Sequence, residues 1–177
     1  MIARPEVGEF NPFYAGYIQH IPAGEDVFGV LARQPDELRA LLANVSDASA
    51  SERPAPTEWS VKEVIGHIND GERVFAYRVL RISRGDATPL SGFDQDVYVQ
   101  GADFNAYPLT DLIDEFAALR RANLLQFAKL NAAQIDRRGT ASDSPISVRA
   151  LLYIMAGHAA HHVISLRDDY NVAALSR

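Results

Sequence analysis

The amino-acid sequence predicts an all-α protein that folds as a four-helix bundle in a single domain. Four segments repeat apolar residues at the 3.6-residue period of a helix, and no segment alternates cleanly enough to predict a strand. The chain has 177 residues, of which 47% are hydrophobic and 23% are charged, so it can bury one sizeable core. The connection between the second and third helical segments, about residues 85–109, is long enough to cross the bundle.

The N-terminal part of the chain contains an arm and the first predicted helix. Residues 1–24 are rich in aromatic side chains, and we expect them to pack as an irregular arm whose aromatic rings join the core. The first helix is predicted over about residues 26–45. Pro35 lies inside it, so we expect a kink or a break at this position.

The other three helices follow from capping and turn signals. The second helix is predicted over about residues 60–84 and begins with a capping box, in which Ser60 is the N-cap and Glu63 the third helical residue. The third is predicted over about residues 110–130. The fourth is predicted over about residues 147–170, directly after the turn residues Ser144 and Pro145.

The composition excludes several classes of function. The net charge of −6 provides no basic surface for nucleic acid, and no apolar run approaches the length of a membrane span. The first residues lack the basic and apolar stretches of a signal peptide, so a cytoplasmic location is expected. Because the chain contains no cysteine, any thiol chemistry would need a thiol brought by a second molecule.

Four of the five histidines lie in the second and fourth predicted helices, namely His67, His158, His161 and His162. Histidines at positions i and i+4 share a helix face and can bind one metal ion. At about 100° per residue, His162 falls near the middle of the buried side of the fourth helix and His158 close to it. His161 falls about 60° further, towards the polar flank. Two adjacent buried imidazoles are hard to satisfy with hydrogen bonds alone, and a metal would satisfy both.

Two carboxylates lie one helical turn from His67. Glu63 and Asp70 are candidates for a fourth metal ligand, for a hydrogen-bond partner of a ligand, or for a general base. Either can instead be an ordinary solvated carboxylate. The alternative to a metal site is that the three histidines have unrelated roles, two of them buried and one at the surface. The metalloprotease pattern HExxH is absent, because Ala159 follows His158.

The paired motifs resemble those of the DinB/YfiT-like superfamily. The segment EWSVKEVIGHI at residues 58–68 resembles the second-helix signature of that family, and GHAAHH at residues 157–162 resembles its HxxHH ending. The resemblance implies a four-helix bundle with a divalent metal bound by His67, His158 and His162, and it implies that His161 is not a ligand. Imidazole ligands suit zinc, nickel or iron, and zinc or nickel is the metal expected here. The family includes S-transferases that use bacillithiol, and mycothiol-dependent isomerases are related to it. The sequence departs from the usual pattern at residues 163–165, where many members have Gly-Gln.

Two classes of function follow. The first is a metal-dependent enzyme that activates either a low-molecular-weight thiol, as an S-transferase, or water, as a hydrolase, and acts on a small-molecule substrate. Arg78 and Arg149 are candidate contacts for a carboxylate of the thiol or substrate, or else partners in surface salt bridges. The second is a non-catalytic, metal-stabilised bundle that binds a partner. A homodimer is expected from the aromatic residues of the arm and of the long connection.

Overall fold

Four long helices form the predicted bundle in the computed structural model, which describes residues 1–175. They coincide with the four predicted segments to within three residues at each end. Four shorter helices, two strands and three short 3-10 helices complete the described chain. The elements in chain order are α1 (Ala15–Gln19), α2 (Val27–Leu42), α3 (Asp47–Ser51), α4 (Val61–Ser83), α5 (Gln95–Ala102), α6 (Leu109–Phe127), α7 (Ala132–Ile135), β1 (Arg138–Ala141), β2 (Ser144–Ser147) and α8 (Val148–Asp168).

The long helices pack in a ring. Helix α4 contacts both α6 and α8, and α2 contacts the same two helices. The long connection therefore does not separate its flanking helices, since α4 and α6 are neighbours and α5, within the connection, packs on α4. No helix in the described part of the chain combines the length and the hydropathy needed to span a bilayer.

The capping box at the start of α4 is formed as predicted. The Ser60 hydroxyl accepts a hydrogen bond from the backbone amide of Glu63 at 3.1 Å, and a carboxylate oxygen of Glu63 accepts one from the Ser60 amide at 2.7 Å. Two of the otherwise unpaired amides at this helix end are thereby satisfied. The start of the helix that carries His67 is fixed by these bonds.

Of the kink or break expected at Pro35, the break does not occur, because α2 is continuous from Val27 to Leu42 with Pro35 inside it. Proline has no amide hydrogen, so the carbonyl of Leu31 loses its usual helical donor. The guanidinium of Arg120 on α6 donates to that carbonyl at 2.9 Å. A neighbouring helix therefore supplies the bond that proline removes.

Arg120 is the centre of a buried network that joins all four long helices. Its side chain donates to both carboxylate oxygens of Glu72 on α4, at 2.8 and 2.9 Å, and to the side-chain oxygen of Gln34 on α2 at 2.6 Å. Gln34 in turn donates to the Ala156 carbonyl on α8 at 2.6 Å. Arg120 and Glu72 are almost completely buried, so each charge depends on the other for compensation.

The N-terminal arm, residues 1–24, combines irregular segments with two short helical ones. It contains a 3-10 helix over Pro12–Tyr14 and the helix α1, which packs on α8. Glu9, which is 1% exposed, accepts a hydrogen bond from the Ser147 hydroxyl at 2.7 Å and so ties the arm to the start of α8. At the other end of the arm, a Cβ atom on Gly157 would lie 2.0 Å from the carbonyl oxygen of Tyr17. Glycine at position 157 is therefore what lets α1 approach α8.

A short antiparallel hairpin, β1–β2, precedes α8, and the sequence does not predict it. Its strands have four residues each, too few for a visible alternation of apolar and polar residues. Ser142 and Asp143 form the two-residue turn with φ of 50° and 58°, as in a type I′ turn. Leu90 of the long connection adds to the hairpin, donating to Thr140 at 2.9 Å and accepting from the Ser142 amide at 3.0 Å.

Replacing Gly157 with alanine is expected to destabilise the protein by about 1–3 kcal/mol, because the added methyl group overlaps the Tyr17 carbonyl and pushes α1 away from α8. Urea denaturation measures the change. Gly16→Ala is the matched control, since Gly16 lies in α1 and a Cβ atom added there would have nothing within 4 Å. Equal stabilities for the two variants would contradict the packing described for α1.

Candidate metal centre

Three imidazoles from two helices meet at one point. The Nε2 atom of His158 lies 2.9 Å from that of His67 and 3.2 Å from that of His162. One ligand atom from each of the three histidines lies within 4.8 Å of the others. His67 and His158 are 2% and 4% exposed, and His162 is half-buried.

The backbone makes this meeting possible at Gly71, one turn after His67 on α4. A Cβ atom at this position would lie 2.8 Å from Cε1 of His158. The space that a side chain would take is thus filled by an imidazole from α8. On α8, His158 and His162 are one turn apart and share the face towards α4.

Hydrogen bonds cannot satisfy the three imidazoles together. The Nε2 atom of a neutral imidazole carries either one hydrogen or one lone pair. Nε2 of His158 faces the Nε2 atoms of both His67 and His162, so it can make a good hydrogen bond to only one of them. The second contact would leave a buried polar atom unsatisfied, which costs free energy.

The environment keeps these imidazoles uncharged. Burial lowers the pKa of His67 from 6.5 to about 4, with a smaller contribution from His161. Burial also lowers the pKa values of His158 and His162 well below 6.5, assisted by the neighbouring imidazoles. At neutral pH each ring is therefore neutral, which is the state in which histidine binds metals.

His161 lies outside the cluster, as its position on the helical face predicts. Its ring centre is 5.3 Å from that of Tyr17 and 5.5 Å from that of His20. Burial and the nearby His20 lower its pKa as well. Its contacts are with the N-terminal arm on the side of α8 that packs on α1.

A cleft of about 650 Å³ opens next to the imidazoles. His67 and His158 line its floor, and most of the other lining side chains are aromatic. Tyr14 and Tyr17 of the arm pack against the core, as the sequence predicts, and they also line this cleft. Phe13 departs from the prediction, because it lines the cleft and is 73% exposed. The lining residues are Phe13, Tyr14, Tyr17, His67, Phe75, Gly92, Phe93, Asp94, Gln95, Ser142 and His158. The arm shows one sequence signal, the spacing of its aromatic residues. That spacing is the same for aromatic residues in a core and for those that line a cleft, so it does not distinguish the two.

The two candidate carboxylates, Glu63 and Asp70, do not belong to the cluster of histidines. Glu63 completes the capping box and forms an ion pair with Arg53. Asp70 is half-buried, and burial raises its pKa, while Arg73 opposes that shift. Neither is among the residues that line the described cleft.

The two candidate arginines, Arg78 and Arg149, do not line the cleft either. Arg149, at the start of α8, forms an ion pair with Glu9 and so anchors the N-terminal arm. Arg78 on α4 is 1% exposed and donates to the Ser91 carbonyl at 2.9 Å and to the Ser142 hydroxyl at 3.0 Å. It lies behind the wall of the cleft that contains Ser142.

Comparisons with known proteins support the fold and the motifs. A family model described as the DinB superfamily matches residues 31–165. The structure is similar to that of YfiT from Bacillus subtilis, which is described as a probable metal-dependent hydrolase with an unusual four-helix bundle topology. That similarity has a TM-score of 0.73 at 16% sequence identity and covers 99% of this chain and 92% of the YfiT chain. No curated protein matches the chain in sequence.

The buried histidines predict a pH dependence of stability for the metal-free protein. The folded-state pKa of His67 is about 4, below its ordinary value of 6.5, so the unfolded chain binds more protons below pH 6.5. Stability should therefore fall as the pH falls from 6.5 towards 4, by about 3 kcal/mol for His67 alone. Urea denaturation in the presence of chelator measures this. A His67→Gln variant with the same pH dependence as the wild type would contradict it.

Replacing Gly71 with alanine should displace the His158 ring and lower the affinity for a divalent metal by about tenfold or more, because the added methyl group overlaps Cε1 of His158. Competition with a coloured chelator measures the affinity. Gly101→Ala is the control, since it also adds a methyl group to a helix and has open space at that position. An unchanged affinity in Gly71→Ala would show that the ring position does not matter for binding.

Proposed function

The chain belongs to the DinB superfamily, and from that premise we propose that it is a metal-dependent enzyme whose divalent ion is bound by His67, His158 and His162. The observation that carries the proposal is the convergence of three uncharged imidazole nitrogens beside an open cleft. Imidazole ligands suit zinc and nickel, which are the ions we propose.

Two of the three distances between the nitrogens are close to those expected around such an ion. Two nitrogens that each lie about 2.05 Å from a tetrahedral zinc ion are about 3.3 Å apart. The two short Nε2 separations, 2.9 and 3.2 Å, are near that value. A divalent ion held by His67, His158 and His162 would lower the pKa of a water or thiol bound to it towards neutral pH.

The residues around the histidines orient the rings and shape the cleft. The Trp59 ring packs against His67 with centres 4.9 Å apart, and Tyr17 and Phe75 pack edge-on against His158 at 5.4 and 5.5 Å. Rings held in this way cannot turn their Nε2 atoms out of the cluster without disturbing the core. The aromatic lining favours a small molecule with an apolar or aromatic part as substrate.

Two reactions are compatible with this site. In the first, a low-molecular-weight thiol attacks an electrophilic substrate as its thiolate, and the chain acts as an S-transferase. This version needs an external thiol because the chain has no cysteine. In the second, water attacks an ester or amide, and the chain acts as a hydrolase, the activity for which YfiT is described as a probable example.

A purely structural metal is the alternative from another class of function. Such sites usually have four protein ligands and no open position. Within residues 1–175, the group of potential ligands consists of three histidines with no carboxylate, and a cleft lies beside it. These features favour catalysis over a non-catalytic, metal-stabilised bundle.

The homodimer and the cytoplasmic location stay predictions. Two aromatic residues of the long connection, Tyr98 and Tyr107, are 45% and 53% exposed and are available for an interface. Phe104 is not, because its ring packs on the backbone of Gly66, where a Cβ atom would lie 2.3 Å away. A light-scattering mass equal to one chain at micromolar concentration would contradict the dimer.

Replacing His162 with alanine should abolish the dependence of the melting temperature on metal, since only two ligands remain. His161→Ala is the matched control and should keep that dependence, because His161 lies outside the cluster. Thermal melts with and without chelator measure both variants and the wild type.

Two results would contradict this assignment of ligands. A wild-type protein that contains no metal and melts identically with chelator would show that the site is not a metal site. A loss of metal dependence in His161→Ala but not in His162→Ala would show that the wrong imidazoles were assigned. If His162 is an ordinary core residue, alanine at position 162 would lower the melting temperature equally in both conditions.

Turnover assays separate the two reactions. The metal-loaded protein is incubated with a generic aromatic electrophile and a panel of low-molecular-weight thiols, and separately with aromatic esters without thiol. Thiol-dependent turnover that is lost in His162→Ala supports the transferase, and thiol-independent ester hydrolysis with the same loss supports the hydrolase. Absence of both activities in protein with a full metal complement would favour the structural-metal alternative.

A further inference from the structure

A second cavity, of about 450 Å³, lies behind the wall of the cleft. Three arginines from α4 line it, namely Arg73, Arg78 and Arg81. Gly92 and Phe93 line both cavities and so form the wall between them. The second cavity will be called the arginine pocket.

Only one of the three arginines lacks an acidic partner in the described structure. Arg73 forms an ion pair with Glu115, and Arg81 forms one with Asp86. Among residues 1–175, no carboxylate lies within 4.0 Å of the Arg78 guanidinium. The arginine pocket is therefore left with one uncompensated positive charge.

Arg78 is unusual because its charge is buried and has no acidic partner. Its side chain is among the largest that are fully buried, and an arginine keeps its charge in proteins. Its two hydrogen-bond acceptors, the Ser91 carbonyl and the Ser142 hydroxyl, are neutral, and both are bound by Nη2. The Nη1 atom is buried and has no hydrogen-bond partner. A buried charge without a counter-charge costs free energy unless something compensates it.

A purely structural role does not account for the buried charge of Arg78 or for its unpaired Nη1 atom. Arg78 does link the hairpin turn to the long connection through its two hydrogen bonds, and its guanidinium lies 5.9 Å from the centre of the Phe93 ring. A neutral donor would make the same two hydrogen bonds without the cost of burying a charge. Neither the two serines nor the Phe93 ring provides an acceptor for Nη1.

We propose that the arginine pocket binds a small organic carboxylate, whose negative charge pairs with the uncompensated charge of the Arg78 guanidinium. One uncompensated charge matches a monoanion better than a phosphate dianion. Tyr77, Phe93 and Tyr98 also line the pocket and offer aromatic surface to the rest of the ligand, so an aromatic carboxylate fits best. Binding of a carboxylate in the arginine pocket needs no metal. It can therefore be tested independently of the function proposed for the histidines.

Calorimetry with benzoate tests the proposal, with benzamide as the uncharged compound of the same shape and with chelator present throughout. The wild-type protein should bind benzoate saturably and benzamide at least tenfold more weakly. Arg78→Met should weaken benzoate binding at least tenfold. Arg39→Met is the control that should bind like the wild type, because Arg39 pairs with Asp114 and does not line the pocket.

Circular dichroism first establishes that each variant is folded. If Arg78→Met does not fold, Arg78→Lys replaces it, since it keeps the charge but loses the planar guanidinium, and it should bind benzoate more weakly than the wild type does. The proposal is overturned if the wild-type protein shows no saturable benzoate binding, if benzamide binds equally well, or if the folded Arg78 variant binds benzoate with unchanged affinity.

Discussion

The convergence of three uncharged imidazoles on one point, two of them buried and one half-buried, is the constraint on which the rest of this structure depends. Nε2 of His158 faces two other nitrogens at 2.9 and 3.2 Å, and a single hydrogen bond cannot satisfy both contacts. Burial also makes protonation unfavourable, as the low pKa of His67, about 4, shows. A divalent cation resolves both problems, because it accepts three lone pairs at once and needs the imidazoles neutral.

The surrounding packing makes that convergence possible. Helices α4 and α8 approach closely at Gly71, where a side chain would collide with His158, and Gly157 lets the N-terminal arm close over α8. Arg120 ties α2, α4 and α6 together, and Gln34 extends the network to α8. These contacts fix the relative positions of the helices that carry the three histidines.

The sequence predicts those features that follow from periodicity and local capping. The four long helices, the capping box at Ser60 and the common face of His158 and His162 all depend on neighbours within a few turns. The features that it misses depend on distant parts of the chain. No local signal shows that Arg120 replaces the hydrogen bond lost at Pro35, or that Tyr17 from the arm lines the cleft. The hairpin strands are too short to show an alternating pattern.

The central claim is that His67, His158 and His162 bind one divalent ion, and elemental analysis tests it most directly. Protein expressed without an affinity tag, purified without chelator, should contain about one zinc or nickel ion per chain, and X-ray absorption should show imidazole nitrogens at about 2.0–2.1 Å. The claim would be contradicted by protein that contains no stoichiometric metal and binds none on addition, or by a bound ion whose ligands exclude these imidazoles.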